Sequence, residues 1–163
     1  HVAIAHPTTL HREQGPVRDY VHRFSHYVNL LETPHPNGGQ FQTFGLPPWT
    51  HLLVWPDGRI ALLEFLPLQA RQCTMQLRLL APPGKVDDRE AEAWLVHLLS
   101  FLDEDKALVE SAQRGYVDNF EPGPAHQLEQ RILHWQSLYS DQLSAAGMVR
   151  LERSQDAISA LMA

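Results

Sequence analysis

Cysteine is nearly absent from this chain: Cys73 is the only one among 163 residues. One cysteine excludes an internal disulfide, and it excludes a zinc ribbon or an iron–sulfur cluster held by this chain alone. A reducing, cytoplasmic setting is therefore expected. Basic residues are also few: 13 Lys and Arg against 19 Asp and Glu give a net charge of -6. The chain has no clustered positive charge that would indicate nucleic-acid binding.

Long apolar runs and a signal peptide are missing as well. No stretch approaches the roughly 18 apolar residues that span a bilayer, and the start lacks a basic segment followed by an apolar one. We therefore expect no membrane partner. A hydrophobic content of 44% and a charged content of 20% are typical of a globular domain. The length suits one domain with a real core.

The strand signals come in the first half of the chain. Residues 51–66 predict a β-hairpin around the turn Pro56-Asp57-Gly58. Two further strands are predicted, one over 72–80 and one over 25–31. Residues 32–50 indicate loop, because seven of them are proline or glycine. The strand at 72–80 has an apolar side, on which we expect four packed residues: Cys73, Met75, Leu77 and Leu79.

Two helices are predicted after the strands. The first begins with Asp87 or Asp88 as its cap and ends near Arg114, with Gly115 as its stop. The second, over about 125–143, has an apolar stripe at helical spacing: Leu128, Ile132, Trp135, Tyr139 and Leu143. Strands followed by helices indicate the α+β class. We expect an antiparallel sheet curved around a long C-terminal helix.

Asp105 lies in the middle of the apolar face of the first helix. At about 100° per residue from Leu98, Asp105 falls near -20°, whereas Asp103 and Glu104 point toward water. A carboxylate on a buried face is costly unless it is paired, protonated or bound to a metal. Asp105 therefore needs a partner. A kink or a buried salt bridge would also explain it, so the helix alone leaves the metal-ligand role open.

Two histidines, His1 and His6, open the chain, and Pro7 follows at once. Two imidazoles and a distant carboxylate are the parts of a facial triad for ferrous iron. A regular helix would separate positions i and i+5 by about 140°. Pro7 disfavours helical geometry at His6, and an unwinding turn can bring the two rings together. In a chain with ten histidines such a pair is also often incidental.

Three segments carry a family resemblance. The first is His1-x4-His6-Pro7, and the second is Glu104-Asp105 followed by Glu110, Gln113 and Gly115. The third is the helical ending over 129–139. Together they resemble the catalytic domain of the large (α) subunit of the Rieske non-haem iron ring-hydroxylating oxygenases, over about residues 1–143.

The resemblance implies a helix-grip (START-like) fold with His1, His6 and Asp105 as catalytic ligands of mononuclear Fe(II). It implies O2 activation and oxygen insertion into an aromatic or other small organic substrate. Ring dihydroxylation, monohydroxylation and oxidative demethylation all remain open. Electrons would come from NAD(P)H through a reductase, sometimes a ferredoxin, and a Rieske [2Fe-2S] cluster. The implied assembly is a homotrimer or an α3β3 complex.

A substrate pocket is expected beside the metal, between sheet and helix. Its candidate lining residues are as follows: Phe65, Met75, Leu77, Trp94, Leu98, Leu102 and Val109. Each of these residues could instead belong to the hydrophobic core without contacting a substrate.

The sequence departs from the family pattern in one respect. The Rieske motif, Cys-x-His with a later Cys-x-x-His, is absent, and one cysteine cannot supply it. We therefore expect residues 1–163 to be the C-terminal part of the oxygenase catalytic domain. The cluster domain and the start of the catalytic domain would then lie upstream, and the fragment alone would have negligible turnover.

Two rival functions remain. A helix-grip domain can bind an apolar ligand without metal, and its ligand binding would then survive chelation. A hydrolase or lyase could use the same triad, and O2 consumption coupled to substrate would separate it from an oxygenase.

Overall fold

The computed structural model describes residues 14–117, 125–126 and 129–148. Six strands form one antiparallel sheet in which each strand pairs with the next along the chain. A 3-10 turn at Val17–Asp19 precedes the sheet, and two α-helices follow it. The strands are β1 (Val21–Phe24), β2 (Asn29–Pro34), β3 (Gln40–Leu46), β4 (Thr50–Val54), β5 (Ile60–Gln69) and β6 (Gln72–Leu80). The helices are α1 (Asp88–Val117) and α2 (Gln130–Ala145).

The predicted hairpin and the strand after it are confirmed as β4, β5 and β6. The amide of Gly58 donates to the carbonyl of Trp55 at 3.0 Å, and the amide of Trp55 donates to the carbonyl of Arg59 at 2.9 Å. Gly58 has a φ of 89°, which few residues other than glycine adopt readily. The turn signal in the sequence therefore marks the real turn.

The prediction of a loop over 32–50 was wrong, because this range contains half of β2 and all of β3. Its glycines and prolines gather at the strand ends. Gly38 and Gly39 have positive φ in the β2–β3 turn, and the cis pair Pro47-Pro48 lies between β3 and β4. The strand predicted over 25–31 was also misplaced. Ser25 and Val28 are joined by backbone hydrogen bonding across the turn between β1 and β2.

Helix α1 begins with a reciprocal capping box. The Asp87 carboxylate accepts from the amide of Glu90 at 2.8 Å, and the Glu90 carboxylate accepts from the amide of Asp87 at 3.0 Å. Asp87 is therefore the cap, and two helix amides that lack intrahelical partners are satisfied. The helix continues past the predicted stop at Gly115 to Val117.

The core lies between α1 and one face of the sheet. Trp94, Leu98 and Phe101, spaced four and three apart, are buried. They pack against buried strand residues, namely Phe41, Leu53, Trp55, Ala61 and Leu63. Met75, Leu77 and Leu79 of β6 join this core as predicted. Cys73 does not: it is exposed, because it pairs with Pro67 close to the turn of the β5–β6 hairpin.

Helix α2 packs on the same face of the sheet, and only part of the predicted stripe faces inward: Trp135 and Leu143 are half-buried. Ile132 and Tyr139 are 52% and 63% exposed, whereas Leu138 is buried. The inward side carries partly buried Arg131, His134 and Trp135. Trp135 belongs to the predicted stripe, but Arg131 and His134 do not. Hydrogen bonds to Asn29 and to the carbonyl of Ser25 hold these two residues inward, and hydrophobic spacing does not indicate such partners. Leu128, the first residue of the predicted stripe, lies outside the described residues.

The sheet with both helices on one face is an α+β fold of the helix-grip type. We call this side the helix-covered face. One row of it crosses all six strands with its members directly opposite each other: Phe24, Asn29, Gly45, His51, Leu63 and Leu77. Polar residues occupy the β1–β4 end, under α2, and apolar residues occupy the β4–β6 end, under α1.

Candidate functional site

Of the three predicted iron ligands, the structure describes Asp105. His1 and His6 lie outside the described residues. Asp105 follows buried Phe101 by four positions in α1 and is half-buried, whereas Asp103 is exposed. Glu104, which the sequence assigned to water, is also half-buried. Within residues 14–117, 125–126 and 129–148, no three His, Cys, Asp or Glu side chains could hold a metal ion.

Most of the predicted pocket residues lie within the core under α1. Trp94 and Leu98 are buried, and four others are partly buried against the same cluster: Phe65, Met75, Leu77 and Leu102. Val109 differs from the prediction, because it is 65% exposed. A helix of 30 residues is about 45 Å long, longer than the sheet in either direction. The part of α1 that carries Val109, where residues 106–112 are exposed, therefore extends beyond the face that buries Trp94 and Leu98.

A cleft opens where α1 begins, with a volume of about 420 Å³ and Asp57, Arg59 and Trp94 among its lining residues. The Arg59 guanidinium lies 5.2 Å from the centre of the Trp94 ring. Its Nε also donates to the Asp57 carboxylate at 2.8 Å. These contacts fix the turn before β5 against the start of α1, which is a structural role.

Five polar side chains that were not predicted as a site lie together at the β1–β4 end of the helix-covered face. We call this group the polar cluster, and it consists of His22, Asn29, His51, Arg131 and His134. Asn29 is fully buried, with 0% of its surface exposed. The two residues of α2 lie more than a hundred positions away from Asn29 in the chain. The cluster exists only once helix and sheet have come together.

The donor and the acceptor of each hydrogen bond in the polar cluster can be assigned. Arg131 Nε donates to Asn29 Oδ1 at 2.6 Å. Because that oxygen accepts, the amide nitrogen of Asn29 is the atom 3.3 Å from His134 Nδ1, and it donates there. His134 Nε2 lies 2.9 Å from the carbonyl of Ser25, which can only accept. In this arrangement Nδ1 of His134 accepts from Asn29, and Nε2 donates to the carbonyl of Ser25.

His51 lies beside this chain of bonds, in β4 opposite Gly45. Its ring centre is 5.3 Å from that of Trp135 and 5.9 Å from that of Phe65. Burial between these rings, and secondarily the charge of Arg131, lowers the pKa of His51 to about 4. His22, on the same face, also has its pKa lowered by burial and then by Arg131. Both are neutral at physiological pH.

Arg131 carries the only charge of the polar cluster. Burial lowers the pKa of its guanidinium to about 10, so the group stays protonated at neutral pH. Its Nη2 is buried and has no hydrogen-bond partner. No carboxylate within the described part of the chain pairs with it. A buried cation without an anion is costly, which makes this residue the least satisfied group of the cluster.

None of the four titratable residues of the polar cluster was predicted from the sequence as a site residue: His22, His51, Arg131 and His134. Strand alternation could have identified His51, since it shares its side of β4 with Leu53 and Trp55. No comparable local signal marks Arg131, whose hydrogen-bond partner lies 102 residues away.

Comparison with protein families matches residues 1–145 to a family described as ring hydroxylating alpha subunit (catalytic domain). The match includes both N-terminal histidines and runs to the last residue of α2. No curated protein and no solved structure matches the chain. Within the part of the chain that the structure describes, neither helix combines the length and the apolar character needed to cross a membrane.

Proposed function

The chain belongs to the ring-hydroxylating alpha-subunit family, as its catalytic domain, and from this premise we propose that His1, His6 and Asp105 hold a mononuclear Fe(II) ion. Membership makes the chain an oxygenase domain that uses non-haem iron and O2. The ligand residues and the reaction below are the proposal. Two imidazoles and one carboxylate suit ferrous iron, and when bound there the iron supplies open positions for O2.

The observation that supports this assignment is the position of Asp105. It is half-buried on α1, while Asp103 two positions earlier is exposed. Phe101 lies one turn before Asp105 and is 3% exposed, so the helix carrying the carboxylate is held against the sheet. A rigid helix fixes the direction of a carboxylate, and the adjoining core excludes water from one side of it. Both properties suit a ligand that must stay ionised and in place.

The proposed reaction inserts oxygen into an aromatic or other small organic substrate, by dihydroxylation, monohydroxylation or oxidative demethylation. Electrons would come from NAD(P)H through a reductase, with or without a ferredoxin, and then a Rieske [2Fe-2S] cluster. One cysteine in the chain cannot hold that cluster, so the cluster belongs to another part of the oxygenase. We place the enzyme in the cytoplasm, as a homotrimer or an α3β3 complex.

Anaerobic Fe(II) titration of the intact protein tests the ligand set. Asp105→Asn is expected to lose iron retention and substrate-dependent O2 consumption. Asp103→Asn, its matched control on the same helix, should retain both. If Asp103→Asn were the damaging change, the assignment of Asp105 would be wrong. Substrate binding that survives chelation with no O2 consumption would instead indicate the metal-free binding domain.

A further inference from the structure

The two helices are attached to the sheet by different kinds of contact. Helix α1 buries Trp94, Leu98 and Phe101, and all three side chains belong to the hydrophobic core. Helix α2 buries a single residue, Leu138, which is not part of that core cluster. The free energy gained by docking a helix grows with the apolar surface that it buries. Apolar burial therefore anchors α1 firmly and α2 only weakly.

Polar contacts supply most of the remaining attachment of α2. Arg131 Nε donates to Asn29 at 2.6 Å. One ring nitrogen of His134 lies 3.3 Å from the Asn29 side chain, and the other lies 2.9 Å from a backbone carbonyl of the β1–β2 turn. Trp135 adds a contact with the ring of His51. Water replaces each of these hydrogen-bond partners when the helix leaves the sheet, so their net contribution to docking is small.

The docked position of α2 also leaves polar groups unsatisfied. Arg131 Nη2 and His22 Nδ1 are buried and have no hydrogen-bond partner among the described residues. Burial also lowers the pKa of His22 and of His51, because it disfavours their charged forms. A buried polar atom without a partner costs free energy that hydration would return. Exposure to water under a raised α2 would therefore offset part of the docking contacts that are lost.

The start of α2 is less well stabilised than the start of α1. Glu129 occupies the N-cap position of α2 without a capping hydrogen bond from its side chain, and the first turn has no acidic residue. Helix α1, in contrast, begins with the reciprocal capping box of Asp87 and Glu90. A helix of 16 residues is only marginally stable without tertiary contacts. The stability of α2 therefore depends on a docking that is itself weak.

We propose that α2 opens from the sheet as a unit while α1 and the sheet stay folded, so that α2 is a lid over the polar cluster. Segments that open locally combine few buried apolar contacts with hydrogen bonds that water can replace, and α2 has both properties. Opening separates Arg131 and His134 from Asn29 and exposes His51 to water. The proposal does not depend on the iron ligands, because Asp105 belongs to α1.

Amide hydrogen exchange of the intact protein, followed by mass spectrometry at pH 7, tests the proposal. The amides of residues 134–145 in α2 are expected to be protected at least about 100-fold less than those of residues 94–101 in α1. Exchange in α2 should change little between zero and about 1 M urea, because local opening exposes little surface, whereas exchange in α1 should accelerate. Equal protection of the two helices, with the same dependence on urea, would overturn the proposal.

Asn29→Ala tests whether the opening breaks the polar contacts. This variant should accelerate exchange over 134–145 by at least about tenfold, since it removes the partner of both Arg131 and His134. Asn37→Ala, at an exposed position of the β2–β3 turn, is the matched control and should leave that exchange unchanged. Unchanged exchange in Asn29→Ala would refute the lid, as would low protection confined to residues 143–145, which indicates a frayed end. If Asn29→Ala does not fold, the comparison of the two helices in the unaltered protein decides alone.

Discussion

The indole ring of Trp135 in α2 lies so close to Gly45 of β3 that a Cβ atom at Gly45 would collide with it. A Cβ on Gly45 would come within 2.9 Å of Trp135 Nε1 and 2.6 Å of Asn29 Oδ1. Neither neighbour moves freely, since Asn29 is fully buried and bonded to Arg131 and His134. Glycine at this position therefore sets how closely α2 approaches the sheet.

Gly45→Ala is expected to destabilise the protein by about 1–3 kcal/mol, the usual cost of overpacking a buried site. Urea unfolding followed by circular dichroism measures the change. The same substitution in a Trp135→Leu background should cost less, because one of the two clashing neighbours has been shortened. Equal costs in both backgrounds would mean that Trp135 does not limit this contact.

Asn29→Ala tests the bond between β2 and α2. The change removes the acceptor for Arg131 Nε and the donor for His134 Nδ1 together. It leaves the partly buried guanidinium of Arg131 without its hydrogen bond to Asn29, so we expect a loss of about 3 kcal/mol in the free energy of unfolding. Asn37→Ala, at an exposed position of the β2–β3 turn, should change stability by less than about 0.5 kcal/mol. Similar losses for the two variants would contradict a bridging role for Asn29.

Local sequence signals predicted part of this fold well. The turn Pro56-Asp57-Gly58 and the alternation over 72–80 correctly located β4, β5 and β6, because both signals are contained in a few neighbouring residues. Strand β3 was missed, because glycine and proline at its ends resemble the composition of a loop. For α1, the apolar spacing placed Asp105 toward the packed side and Asp103 toward solvent, as the burial of the two residues shows.

The polar cluster could not have been predicted in the same way. Arg131 and His134 have the sequence character of a solvated helix face, and their partner Asn29 lies in a strand more than a hundred residues earlier. Both residues face inward because they form hydrogen bonds with Asn29 of β2. Hydrophobic periodicity within α2 cannot indicate a partner in a distant strand. His51 is intermediate, since strand alternation indicates its side but not its aromatic neighbours.

The titration of His51 should make stability depend on pH. Its pKa is about 4 in the folded protein and 6.5 when unfolded, so the unfolded chain binds more protons between these values. The contribution of His51 to the free energy of unfolding is therefore fully present above pH 6.5, and it is lost as the pH falls toward 4. The expected loss is about 3 kcal/mol. His22, whose pKa is also lowered, adds in the same direction.

His51→Gln provides the comparison for this effect, because carboxylates titrate in the same range in both proteins. Urea unfolding at a series of pH values from 7 to 4 should show a steeper loss of stability in the unaltered protein than in His51→Gln. Parallel curves for the two proteins would show that His51 takes up no extra proton on unfolding.

The start of α1 gives a prediction that separates two adjacent acids. The sequence left Asp87 and Asp88 as alternative caps, and the structure shows the carboxylate of Asp87 accepting from the amide of Glu90 at 2.8 Å. Asp87→Ala should therefore lower stability by about 1 kcal/mol, since it leaves an amide of the first turn unsatisfied. Asp88→Ala loses only the favourable interaction of a charge with the helix dipole, which is worth about 0.5 kcal/mol. Thermal unfolding compares the two variants, and a larger loss in Asp88→Ala would show that the helix begins one residue later.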